Sequence, residues 1–366
     1  MIGKNVLKDA WKGVDFSEFW NDELQRPTQA DAAIEPRCLC TIPDLEADRR
    51  LVLNGFGEGL NITVPKGEHL DKPIQIQSLV NMDRKALVEL HHLIEIGDNA
   101  SVKIIHCDDT VGPLRSLSNN TIDIHIGSGA HVEYYKLQNL NDQSGLINKL
   151  MVTMQSDSHL TMNCITLNGG HICNHAEVRM LGEGCELQAD GLYLLDRDQQ
   201  CDNYIFVEHA KPHCTSRELY KGIIDDQARA HFNGHVLVQD GAVKTEAYQN
   251  NRNILLTDKA HVDTKPFLEI YNDDVKCSHG STIGQLDEQA LFYLQTRGIS
   301  KRTAVTMLSY AFCDEVIRNI GIPALREAIG DMVKKRLHGE LTSCSDCALH
   351  CSSPCNGPEV NFKIKL

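Results

Sequence analysis

A mainly β fold, built by stacking similar strand units into a solenoid and followed by a short helical region, is what the sequence predicts. Two observations carry this. From about Leu51 to Leu286 short alternating strands are divided by a recurring turn-plus-small-residue unit, with no helical periodicity between copies. After Leu286 the apolar spacing turns helical. The unit first stands clear at Gly97-Asp-Asn-Ala100-Ser-Val102 and recurs at Gly127-Ser-Gly-Ala130, Gly182-Glu-Gly-Cys185, Asp225-Asp-Gln-Ala228, Gln239-Asp-Gly-Ala242 and Thr257-Asp-Lys-Ala260. Ala228, Ala242 and Ala260 are spaced by 14 and 18 residues. One apolar face per unit cannot be buried alone, so neighbours must stack. A β-sandwich stays open on local signals, because Asn168-Gly169 and Asn233-Gly234 are dipeptides that two-residue hairpins favour.

Taken in order, residues 1–50 form a helical lead-in, in which Asp15 or Ser17 caps a short helix carrying Phe16, Phe19, Trp20 and Leu24 and ended by Arg26-Pro27. Residues 51–286 form the stacked core, with Gly, Asp and Asn supplying the turns. In 287–340, Asp287 starts a helix that stops at Gly298, and Ser300 caps a longer one running to Gly321. Pro323 opens a third, which reaches about His338 with Leu325, Ile329, Val333 and Leu337 on one side. Three amphipathic helices would cap the open end of the stack. Residues 341–366 form a Cys-rich tail.

The net charge of −14 and the lack of a basic stripe argue against nucleic acid or an anionic membrane as partner. The N-terminus has charges every few residues, and no run approaches the ~20 apolar residues of a membrane helix, so a cytoplasmic protein is expected. In that compartment the 14 cysteines stay thiols, serving as ligands, redox groups or core. Cys164, Cys185, Cys201 and Cys313 sit in apolar surroundings and read as core. Without a Gly-rich phosphate loop, the chain is expected to bind no ATP itself.

Chemistry concentrates at Pro266 to Gly280, an apolar strand, a polar turn at Asn272 to Asp274, and a second strand. There Val275, Cys277 and His279 share one face, because side chains alternate. Two positions apart, the thiol and imidazole stand about 6.5 to 7 Å apart at Cα, near enough to ligate one soft or borderline metal. Asp273 and Asp274 would disfavour the thiolate and Lys276 would favour it, so the free thiol need not be unusually acidic. Iron can replace the proton directly, which suits a ligand role for Cys277 better than that of a sulfur-accepting nucleophile.

Further candidates are weaker. Cys344, Cys347, Cys351 and Cys355, with His350 among them, are four thiols in a polar dozen residues that suit zinc or an iron–sulfur cluster, although the spacing departs from the ferredoxin run. His171, Cys173 and His175 would share one strand face, where solvated outer wall is the plain alternative. His209 with His213-Cys214 and the Cys38–Cys40 pair complete the set.

The run Lys265-Pro-Phe-Leu-Glu-Ile-Tyr-Asn-Asp-Asp-Val-Lys-Cys-Ser-His-Gly280 resembles the SufB/SufD family of iron–sulfur cluster assembly scaffolds, on its SufD side. The likeness extends through Ser216-Arg-Glu-Leu-Tyr-Lys-Gly222, Tyr248-Gln-Asn-Asn-Arg-Asn-Ile-Leu-Leu256, Leu291-Phe-Tyr-Leu-Gln-Thr-Arg-Gly298 and Ala311-Phe-Cys-Asp-Glu-Val316. It implies a right-handed parallel β-helix, which decides against the sandwich. It also implies pairing with a SufB-like subunit or with itself, docking of a SufC-type ATPase on the C-terminal helices, and a nascent or transient iron–sulfur cluster at an interface carrying Cys277 and His279. The residues 1–50 look abbreviated beside that family's N-terminal region.

Such a chain would be a scaffold and not an enzyme. Two readings compete with it. One is a β-helical carbohydrate-active enzyme using Asp225-Asp226 or Asp273-Asp274, although adjacent Asp residues usually form turns and aromatics for sugar stacking are few. The other is a metal-binding redox protein centred on the tail.

Overall fold

The computed structural model describes residues 24–28, 42, 45–53 and 58–338. The expected N-terminal helix, Cys38, Cys40 and the four tail cysteines lie outside them. Seventeen strands run from β1 (Arg49–Leu53) to β17 (Lys276–Gly284), and among the described residues every strand pair is parallel. Each strand pairs with the one two places along the chain, so the odd-numbered strands make a nine-stranded sheet and the even-numbered ones an eight-stranded sheet. The chain therefore winds through about eight turns of a β-solenoid, giving one strand to each sheet per turn. Arg229 pairs with His261 in the next turn, so the 14- and 18-residue intervals are the two halves of one turn.

The turn units behave as their composition demands. Asn99, Gly129, Gly184 and Gly241 take positive φ of 54°, 66°, 71° and 81°, and the next residue, Ala100, Ala130, Cys185 or Ala242, is fully buried. Only a small side chain fits where the chain folds back onto the turn beneath. Neither Asn-Gly dipeptide makes a hairpin. Asn168-Gly169 lies in the turn between β9 (His159–Asn168) and β10 (His171–Met180), while Asn233-Gly234 sits inside β14 (Arg229–Val238). At Gly234 a Cβ would stand 2.3 Å from the Gln249 amide, so a glycine is required for packing and not for turning.

The lumen is lined by Ile, Val, Leu and Met ladders running the length of the stack. A polar file threads through it: Lys136 ion-pairs Asp108 at 2.7 Å, Gln138 donates to Asn174 at 2.7 Å, and Tyr193 donates to Asn253 at 2.5 Å. These buried polar groups persist because each finds a partner across the lumen or on a nearby turn.

Helices α1 (Glu288–Thr296), α2 (Lys301–Ile317) and α3 (Pro323–His338) start where the caps predict, with Asp287 accepting from Gln289 and Ala290 and Ser300 from Thr303. Their placement differs from an end cap. Cys313, Val316, Ile317, Ile320, Leu325, Ile329 and Val333 pack on Ile105, Tyr135, Leu137, Ile165, Leu167, Leu192, Leu194 and Ile223, which line the outer face of the nine-stranded sheet. The helices thus cover the flank of the solenoid, because the odd-numbered strands are apolar on both faces and need cover outside as well as inside. Arg336 of α3, 6% exposed, fixes the layer through Asp196 (2.5 and 2.7 Å) and the Leu167 carbonyl (2.8 Å). Among the described residues no helix is long and apolar enough to cross a membrane.

Candidate functional site

The flank position of the helices leaves the far end of the stack open. Strand β16 (His261–Ile270) ends the eight-stranded sheet and β17 ends the nine-stranded one, each with a neighbour on one side only among the described residues. On β17, Cys277 is in register with Ala247 and His279 with Gln249, both on β15 (Glu246–Leu255). Ala247 belongs to the lumen core, and Cys277 packs half-buried against that core, so Cys277 and His279 point into the mouth of the lumen. His279 is exposed.

Burial raises the Cys277 thiol above its usual value, opposed by the hydrogen bond from the Ala247 backbone. This corrects the expected cause, which named charges along the strand. Lys276 instead pairs with Glu246 at 2.9 Å on the opposite strand face, and Asp274 pairs with Lys244 at 2.8 Å in the turns before these strands. A protonated thiol at neutral pH is a poor nucleophile, but a metal can displace its proton.

Behind His279 the file continues inward. Gln249 donates to Glu218 of β13 (Thr215–Ile224) at 2.8 Å, and burial pushes the Glu218 carboxyl up to about 8 although the Gln249 bond opposes it. Reading along one strand missed both residues, since they stand on successive turns about 30 residues apart. The only signal would have been the turn length.

Around the mouth the surface is apolar. Of the nine large hydrophobic side chains exposed among the described residues, four lie on or beside the two edge strands, Phe267, Ile270, Tyr271 and Ile283, and two more follow on α1, Phe292 and Tyr293. Helix α1, which carries the last two, has no buried residue. Such clustering at an unpaired double edge marks a surface that takes a partner.

The remaining candidates sort cleanly. His171 and Cys173 do come together, but with Asp202 and not with His175, whose Nε2 meets Glu177 at 2.8 Å. His209 is buried against Ser216 Oγ at 2.9 Å and held down to about 4 by burial, Cys214 is buried, and exposed His213 occupies a turn with φ of 60°, so these three make no site. Cys185, Cys201 and Cys313 are fully buried, and burial lifts the Cys164 thiol to about 12. The Asp pairs build turns: Asp226 has φ of 50° and accepts from the Arg197 backbone, while the Asp274 N–H donates to Asn272.

A family model described as "SUF system FeS cluster assembly, SufBD core domain" matches residues 79–312, which include both mouth residues and most of the solenoid. The chain belongs to the SufBD family. It is 30% identical over 282 residues to the iron–sulfur cluster assembly protein SufD of Escherichia coli (strain K12), covering 76% of this chain and 67% of that protein. The SufD protein of Bacillus subtilis (strain 168) is 26% identical over 80% of this chain and 67% of its own length. The SufBD family protein slr0076 of Synechocystis is 28% identical over 80% of this chain and 64% of its own length. The chain thus spans about two thirds of the length of these relatives.

Proposed function

We propose that this chain is a SufD-like scaffold component of the SUF iron–sulfur cluster assembly machinery, without catalysis of its own. Its open solenoid end would pair with a SufB-like subunit, or with a second copy, and Cys277 and His279 would then hold a nascent cluster at the seam. A SufC-type ATPase would dock on the helical layer and supply the ATP-driven rearrangement. The cluster is cargo, shared with the partner.

One observation carries this reading: a half-buried thiol and an exposed imidazole stand on an edge strand at a lumen mouth rimmed by exposed hydrophobics. One chain offers two ligands there, too few for a cluster, so a facing surface must supply the rest. The uncovered α1 face, with Phe292 68% and Tyr293 56% exposed, supports a second docking surface. The four tail cysteines enter the proposal as a zinc or iron ligand set, tested by whether metal content falls when residues 341–366 are deleted.

The deciding experiment is anaerobic co-purification with SufB-like and SufC-type partners, measuring iron and acid-labile sulfide. Cys277→Ser and His279→Ala should each lower both by at least several-fold while the complex still assembles. Undiminished iron and sulfide in both variants would remove the site.

A further inference from the structure

A second constellation lies on the outer face of the eight-stranded sheet, on three adjacent strands, and not in the lumen. On β10 the even-numbered residues Ile172, Ala176, Val178 and Met180 fill the lumen, so His171 and Cys173 face outward. Register aligns Cys173 of β10 with Asp202 of β12 (Gln200–His209) and Asp202 with His231 of β14, giving a row of thiol, carboxylate and imidazole across three turns. His171, two positions before Cys173, reaches the same carboxylate.

The geometry converges on Asp202. Its Oδ2 takes His171 Nε2 at 2.7 Å and Cys173 Sγ at 3.4 Å, and its Oδ1 takes His231 Nδ1 at 2.5 Å. The ligand atoms of His171, Cys173 and Asp202 all lie within 4.8 Å of one another. Bonds of about 2.0 to 2.3 Å in a tetrahedron place ligand atoms roughly 3.3 to 3.8 Å apart, so these three side chains stand near ligating distance, while His231 holds the other carboxylate oxygen. Cys173 is fully buried and His171 and Asp202 nearly so, whereas the His231 side chain is half exposed and leaves a way in. Leu24, Leu87, Leu117 and Ile147 pack around Cys173 and shield the thiol from water.

We propose that His171, Cys173 and Asp202 hold one borderline divalent transition-metal ion, Zn2+ or Fe2+, with His231 ordering the Asp202 carboxylate from its other oxygen. An imidazole, a thiolate and a carboxylate match the preferences of these ions and not those of Mg2+ or Ca2+. The three ligands come from two successive turns and His231 from a third, so a bound ion would tie these turns together. Binding forms a metal–sulfur bond and releases the Cys173 proton to solvent. The site is independent of the cluster role proposed for the mouth.

The test is Co2+ titration of the full-length, chelator-treated and fully reduced protein, comparing wild type with Cys173→Ser and His231→Gln. Wild type should bind one more tight Co2+ per chain than Cys173→Ser, and the extra ion should carry a thiolate-to-cobalt charge-transfer band that this variant abolishes. His231→Gln leaves the three ligands in place and should weaken that ion about tenfold by loosening Asp202, and metal-free melting of each variant is measured alongside so that a folding defect cannot hide the answer. Equal stoichiometry and an unchanged cobalt spectrum in wild type and a folded Cys173→Ser would overturn the site.

Discussion

Gln249 donates its side-chain N–H to Glu218 at 2.8 Å, on the rung directly behind His279. Burial lifts the Glu218 carboxyl to about 8, so the folded chain keeps a proton that the unfolded chain releases near pH 4.5. Between those values the folded state binds more protons, and stability must fall as pH rises. Glu218→Gln removes this titration at nearly constant shape. It should be close to neutral at pH 4 and stabilising at pH 8 by an amount on the order of a few kcal/mol. Urea midpoints at the two pH values check this, and parallel pH profiles for both proteins would refute it.

Arg336 is the buried anchor of the helical layer. Removing it takes the paired bonds from the part-buried Asp196 carboxylate and leaves the Leu167 carbonyl without its donor, so Arg336→Ala should cost about 2 kcal/mol. Hydrogen exchange should show α2 and α3 opening far more often while the solenoid strands keep their protection. Equal acceleration everywhere would mean that the layer and the solenoid unfold together.

Gly191 of β11 (Glu186–Leu195) faces the Tyr220 ring, and a Cβ there would stand 2.3 Å from two ring carbons. Tyr220 cannot retreat easily, since its ring packs on Phe232 at 5.0 Å between centroids. Gly191→Ala should therefore destabilise by roughly 1 to 3 kcal/mol, the range for overpacking, read as a lower denaturation midpoint. An unchanged midpoint would show that the lumen has slack at that rung.

Local chemistry made much of this fold legible. Asp287 and Ser300 announced two helix starts, and the small residue closing each turn unit announced the stack. What a linear reading lacks is the length of a turn. His171 and Cys173 are neighbours on one strand, but Asp202 and His231 join them only because successive turns add 29 residues each. His175 fits the same alternation and still turns to Glu177, a choice of partner that spacing does not encode. The helices were expected over the stack's end because strands exposed at an edge need cover. The stronger demand came from Ile165, Leu167, Leu192 and Leu194, where both faces of one strand are apolar.

At the mouth, the raised Cys277 thiol gives iron binding a pH signature. Below the thiol's pKa each bound ion displaces one proton from Cys277, so apparent affinity of the assembled complex should rise up to tenfold per pH unit through the neutral range. Cys277→Ser should flatten that dependence by one proton. Anaerobic Fe2+ titrations at pH 6.5, 7.5 and 8.5 give the slope, and an identical slope in both proteins would place the metal elsewhere.

The apolar rim should matter for pairing and not for folding. Tyr271 and Ile283 are 59% and 46% exposed, so replacing them leaves the lumen packing intact. Against a partner, each is a large apolar side chain at an unpaired sheet edge, the type of residue whose loss costs around 1 to 2 kcal/mol at an interface. Tyr271→Ser with Ile283→Asp should then weaken pairing with a SufB-like subunit, or with a second copy, by at least thirtyfold, with the isolated chain's melting unchanged. Sedimentation velocity across a concentration series measures it. Undiminished association would move the interface off the open end, and Cys277 and His279 would then lose the facing surface that a cluster requires.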